Sequence, residues 1–333
     1  MGETAMHRKF VVLLLLLLGM ARPWAVGQTC ASAAEMDAPT RSGLERTARQ
    51  FFDYASEGDV FDLKQSAIPS LASSFGNIEG LVIDQKSAFA GGQATVRASY
   101  LLELSGTAPL ARAEFMCGVW ATPGWATFAI NNLPPGRYGL VIQDVSTSKG
   151  KYALTVVLKQ EGAAWKLAGY YSKPEEIGGH DGQWFQTKAR EYKAKGAAYN
   201  AWLYYLTAWD VTAPVDFMGT RALDRLSEEM QSARPGDLPS ADHPLTLAAG
   251  GGRSYQVIYM SALPVGSDLD LLVKYRVADV SDTQRAFDDN MAVIRAIVGR
   301  YPQFREAFAG VVARATEPSG RDYGTLLAMK DVK

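Results

Sequence analysis

The sequence predicts an α+β protein: an N-terminal helix pair plus a mainly antiparallel sheet, a central helical segment, and a C-terminal ββαββ sheet-and-helix unit. Three observations predict it. Apolar residues recur at helical spacing between residues 44 and 67 and again between 185 and 230. Short alternating runs bounded by Gly, Pro and Asn fill residues 78–171. Beyond residue 253, two strand-like runs, one amphipathic helix and two more strand-like runs follow in order.

The chain opens with His7, Arg8 and Lys9, then an apolar run of 11 residues from Phe10 to Met20. A helix rises about 1.5 Å per residue, so this run falls far short of the ~20 residues a hydrocarbon core requires. Its length suits the apolar region of a secretory signal. Ala25-Val26-Gly27 places small residues suitably for a cut before Gln28, and Ala31-Ser32-Ala33 offers a second site. The expectation is a signal peptide over 1–27. A bacterial chain that is periplasmic or secreted after cleavage near Gly27 would follow, with no transmembrane segment in its mature part. Gly27 and Thr29 fit a lipobox poorly, which argues against lipidation at Cys30.

The 34 basic and 35 acidic residues nearly cancel. Losing Arg8, Lys9, Arg22 and Glu3 with the leader shifts the balance to about −3, an ordinary globular composition. Nothing basic is concentrated enough to track a phosphate backbone, so nucleic acid is not an expected partner. Cys30 and Cys117 are the two cysteines, and in an oxidising compartment they can pair. Cys117 sits in an apolar strand-like run, where a buried free thiol is an equal alternative. With two histidines left, His180 and His243, a structural zinc is not expected.

Residues 28–41 read as a flexible leader. Leu44, Ala48, Phe51, Phe52 and Ala55 then mark one helical face, and Gly58 ends it. Asp59 can cap a second helix carrying Val60, Leu63 and Ala67, broken by Pro69. Strands are predicted at 80–84, 94–104, 113–120, 126–130, 138–144, 152–159 and 165–171. After a polar stretch, a helical segment spans 181–233: Phe185, Ala189 and Tyr192 form one stripe, and Trp202, Tyr205, Leu206 and Trp209 another. Thr220 can cap a third helix. Residues 234–252 read as a linker. The C-terminal α+β domain, 253–333, has strands at 255–263 and 270–277. A helix follows with Ser281 and Gln284 at capping-box spacing and a face of Phe287, Met291, Ile294, Val298 and Tyr301. Strands at 310–315 and 323–329 close the chain.

Phe51-Phe52 on the first helix, the Gly58-Asp59 break, the short second helix and the final strand Ala164-Trp165-Lys166-Leu167-Ala168-Gly169-Tyr170-Tyr171 resemble the NTF2-like superfamily. The resemblance covers 42–173 and implies a concave sheet enclosing a pocket, with no particular catalytic residue. Leu133-Pro134-Pro135-Gly136-Arg137-Tyr138 instead resembles a turn of immunoglobulin-like or CnaB-like domains. The segment is therefore expected to be NTF2-like or β-sandwich-like.

Catalytic motifs are scarce. No G-x-S-x-G, Walker-type or dinucleotide-binding glycine pattern and no H-E-x-x-H occurs. Ser146-Thr147-Ser148-Lys149 has S-x-x-K spacing but leads into Gly150 and reads as a hairpin turn. Asp268 and Asp270 can share one strand face, and His180-Asp181 reads as a helix cap. Aromatic residues are the excess, and stacked rings can hold sugars or flat apolar surfaces. Trp120, Trp125, Trp184, Trp202, Tyr205 and Trp209 are the candidate ligand-binding residues; no catalytic, metal or cofactor residue is assigned. The reading is a non-enzymatic binding or envelope-assembly protein for an unknown small ligand or envelope protein. The alternative is a hydrolase with dispersed catalytic residues.

Overall fold

The fold is a computed structural model describing residues 27–119, 122 and 124–333. The apolar leader and Trp120 lie outside the described residues.

The segment expected to be a flexible leader is ordered. Gln28–Ser32 forms β1, which runs antiparallel along Tyr100 to Leu104 of β2 (Gln93–Leu104). Its polar, short sequence carries no alternation, so its strand character comes from the sheet edge it completes. Asp37 then accepts from the Thr40 N–H at 2.9 Å and caps helix α1, Ala38–Glu57. The expected stripe of Leu44, Ala48, Phe51, Phe52 and Ala55 is buried. Each fully buried Leu or Phe there contributes about 2 kcal/mol. Asp59 caps α2 (Val60–Gln65) as expected, and α3 (Pro69–Ala72) follows.

The strand expected at 80–84 is instead part of helix α4, Gly76–Phe89. Leu81-Val82-Ile83 favours β structure locally, but Val82 and Phe89 at i and i+7 reach the core together. Phe89 lies 5.9 Å from Phe52 and edge-on to Tyr152 at 5.3 Å. Tertiary packing overrides the local preference.

Strands β5 (Gly136–Thr147), β6 (Gly150–Glu161) and β7 (Ala164–Pro174) complete an antiparallel sheet in the order β1-β2-β5-β6-β7. One face, with Leu101, Val141, Leu154 and Val156, packs under α1–α4. Gly139 permits that approach, because a Cβ there would stand 2.0 Å from Leu44 Cδ2. The other face, with Tyr100, Leu102, Leu140 and Ile142, packs on a smaller sheet. That sheet has the order β10-β4-β3, from Met218–Gly219, Ala126–Leu133 and Leu110–Cys117. The unit is therefore layered as helices, sheet and sheet.

After the mini-hairpin β8 (Glu176–Ile177) and β9 (His180–Asp181) come α5 (Gly182–Ala194), α6 (Ala198–Thr212) and α7 (Arg221–Ser232). The expected linker contains β11, Leu245–Ala248, which pairs with β12 (Ser254–Val265). The C-terminal sheet has the order β11-β12-β13-β14-β15, with β13 at Asp268–Arg276, β14 at Gly310–Thr316 and β15 at Asp322–Ala328. Strands β13 and β14 are parallel, so α8 (Thr283–Arg300) is the crossover between them. Asp282, not Ser281, caps α8. Its buried face is also turned from the expected one: Ala286, Asn290, Val293 and Ile297 join Ile294 and Val298 inside, while Phe287 is exposed. Asn290 explains the turn. Its amide donates to the Tyr323 carbonyl and to Thr325 Oγ1, and its oxygen accepts from the Tyr275 hydroxyl at 2.9 Å. A polar residue satisfied this way can be buried. Helices α5–α7 share one hydrophobic core with this sheet and α8, so the expected helical segment and C-terminal domain form one packed body. No helix among the described residues is long and apolar enough to cross a membrane.

Candidate functional site

The site begins at the start of α5. Asp181 accepts from the Trp184 N–H at 2.9 Å, which sets His180 just before the cap and Trp184 and Phe185 in the first turn. The His180 and Trp184 rings stack at 3.7 Å with planes 7° apart, and His180 meets Phe185 edge-on. A residue before the cap packed on the first turn in this way fixes the direction of the incoming chain.

Helix α6 supplies the floor. The Tyr204 ring lies 5.7 Å from Phe185, 5.0 Å from Tyr192 and 6.0 Å from Phe308. The helical residues Phe304–Ala307 form α9, whose terminal carbonyls lack partners within so short a turn. Side chains from α5 and α6 supply two of them and add a bond to the Gln303 carbonyl at the turn's start, which already accepts from the Glu306 N–H. Tyr204 donates to the Ala307 carbonyl at 2.6 Å, Tyr192 to that of Glu306 at 2.9 Å, and Asn200 to that of Gln303 at 2.7 Å. Burial, helped by neighbouring Tyr192, pushes the Tyr204 phenol well above its ordinary pKa, so it stays a donor.

The β12–β13 hairpin tip, Ser267 to Leu269, closes the far side. Gly178 touches it: its φ is +59°, and a Cβ would lie 2.4 Å from the Ser267 carbonyl oxygen. Together these segments enclose a cleft of about 290 Å³, with aromatic faces below and Asp268 and Glu306 at its rim. Glu306 is paired with Lys195 at 2.9 Å.

Of the six aromatic candidates, Trp184 lines this cleft. Trp202 is buried beneath the Arg234 guanidinium, 5.7 Å from its ring centre. Tyr205 is core; its hydroxyl donates to Glu229, which Arg190 and Gln186 also hold. The Arg190 guanidinium keeps the Glu229 carboxyl below its usual range. Trp209 is half-buried against the same core, and Trp125 is buried in the N-terminal unit. Tyr204 and Phe308 are wall residues that spacing did not single out, and Phe185, read from its spacing as part of a helical stripe, is a third. Tyr204 meets Phe185 and Tyr192 close by in the chain, but its other partners, Ala307 and Phe308, lie 103 or more residues away.

Cys30 and Cys117 form a disulfide, with Cα atoms 5.0 Å apart, joining β1 to β3. Asp268 and Asp270 do share a strand face. Asp270 is 4% exposed, and burial, then the neighbouring Asp268 charge, raises its pKa, while the Gly310 N–H bond pulls the other way. Among the described residues, no three His, Cys, Asp or Glu side chains converge as a metal site would need.

No family model matches this chain, and no curated protein and no solved structure matches it.

Proposed function

We propose that the chain is an exported binding or envelope-assembly module whose ligand seats between the His180–Trp184 stack and the Ser267–Leu269 tip. The leader pattern and the Cys30–Cys117 bond support export to a periplasmic or extracellular setting, since disulfides persist in oxidising compartments. The α1–α4 layer over an antiparallel sheet supports an NTF2-like reading of 42–173. One observation carries the binding reading: four segments distant in sequence meet on an aromatic floor whose Tyr204 hydroxyl is already paired. A ligand meets ring faces below and the polar groups of Ser267, Asp268 and Glu306 beside them, which suits a small molecule with a flat apolar body and a polar edge.

The experiment is native mass spectrometry on protein taken from its own envelope, with an envelope pull-down alongside. A bound species that Trp184→Ala and Phe308→Ala both lose is the expected result. Ligand-free protein with no captured partner sinks the reading.

A second reading is a hydrolase with dispersed catalytic residues, favoured by His180, Ser267 and Asp268 lining one cleft. A fluorophosphonate probe that labels Ser267, and fails to do so in His180→Ala, would support it.

A further inference from the structure

A separate groove of about 500 Å³ opens in the N-terminal unit between α1, α2 and the start of β7. Its build is the reverse of the aromatic cleft. Arg46, Gln50 and Tyr54 stand at i, i+4 and i+8 along α1, beside the buried stripe rather than on it. Asp62 and Gln65 face them from α2, and the Trp165 indole forms one wall. Both walls are fixed. The Leu167 N–H donates to the Ser66 carbonyl at 2.8 Å, and the Ile68 N–H to that of Leu167 at 2.9 Å, bolting the end of α2 to β7. Gln50 donates to the Tyr54 hydroxyl at 2.6 Å, which leaves the phenol proton and the Gln50 carbonyl directed to other partners.

The chemistry of the ligand follows from this set. Two primary amides, a phenol and a carboxylate can donate and accept over short spans, as neighbouring hydroxyls on a ring require. The indole adds one flat apolar face. An apolar ligand would bury little here; Arg46 and Lys166 also line the groove, but a phosphate held by them would face the Asp62 carboxylate and leave the Trp165 ring unused. A pyranose has one C–H face and a rim of hydroxyls, which matches both features. We propose that this groove binds a pyranose unit of a polysaccharide, its C–H face on Trp165 and its hydroxyls on Gln50, Gln65 and Asp62.

The test titrates isotope-labelled, oxidised full chain with the tetramers of N-acetylglucosamine, glucose and mannose, and screens the same protein on a glycan array. Expected is a saturable shift of the Trp165 indole N–H signal with at least one glycan. Trp165→Ala, and separately Gln50→Ala with Gln65→Ala, should each weaken binding about tenfold. The glutamines are surface groups, so that variant keeps the test decisive if Trp165→Ala misfolds. Trp184→Ala should bind the glycan normally, which separates this groove from the aromatic cleft. No glycan binding, binding unaffected by the glutamine variant, or preferential saturation by AMP overturns the proposal.

Discussion

The Tyr204 hydroxyl donates to the Ala307 carbonyl at 2.6 Å, joining α6 to the turn that forms one side of the aromatic cleft. Tyr204→Phe preserves the ring stack and leaves that carbonyl without its donor. A loss of about 1–2 kcal/mol is expected in urea denaturation. Hydrogen exchange should quicken at residues 304–309 before it does elsewhere.

Cys30 and Cys117 close a loop with a sequence separation of 87. Chain-entropy arguments assign such a closure about 4–5 kcal/mol, and measured cases typically give about 2–4. The doubly substituted Cys30→Ser, Cys117→Ser chain should unfold at lower urea than the oxidised chain. Reductant should lower the midpoint of the parent and leave that of the variant unmoved.

Tyr170 is buried beneath the helical layer, and its hydroxyl has no hydrogen-bond partner among the described residues. Tyr170→Phe removes the orphaned group and keeps the ring. It should stabilise the protein by about 1 kcal/mol. A lower melting temperature would show that the hydroxyl is satisfied in solution.

Two carboxyls of the C-terminal unit should respond to acid in opposite senses. Asp270 has a raised folded-state pKa from burial and from Asp268, so its ionised form opposes folding. That penalty is complete above the folded pKa and fades as pH falls toward the unfolded value. Asp270→Asn should therefore stabilise at neutral pH, by on the order of 1 kcal/mol, with the gain vanishing near pH ~4. Glu317 is the reverse. Arg321, then the Val280 N–H, hold its pKa down to about 2. Its contribution is present above the unfolded value near pH ~4.3 and is lost as pH falls through about 2. Glu317→Gln should lower stability at neutral pH and flatten the acid limb of the melting curve. Paired thermal melts across pH 2–8 check both.

The helices were legible where a cap and a stripe coincided, as at Asp59 with Leu63, and the Thr220 cap does start a helix, one that buries Leu223 and Leu226. Helix α4 was not, because Leu81-Val82-Ile83 looks extended until Phe52 and Tyr152 are in place to receive Phe89. Strands β1 and β11 were hidden for another reason: each is a short edge strand whose pairing is decided by its neighbour. The aromatic excess was visible along the chain, but its division was not. Trp202 and Tyr205 are core, while Trp184 and Tyr204 line a cleft, and that difference depends on Phe308 and the Ser267–Leu269 tip arriving from elsewhere.

The small strand β10 has an implication for dissecting the molecule. Met218 and Gly219 pair with Phe128 and Thr127, the Phe217 carbonyl receives the Ala129 N–H, and the Phe217 ring meets Tyr171 edge-on. The polypeptide thus leaves the sandwich after residue 174, returns at 215–219, and departs again into α7. A gene truncated near residue 180 would encode a sandwich missing a rung, with Phe128 and Tyr171 bared. The remainder would carry Val215 and Met218 with nothing to enter. The halves are threaded through one another, so the shortest unit that can be severed cleanly from this protein is longer than either.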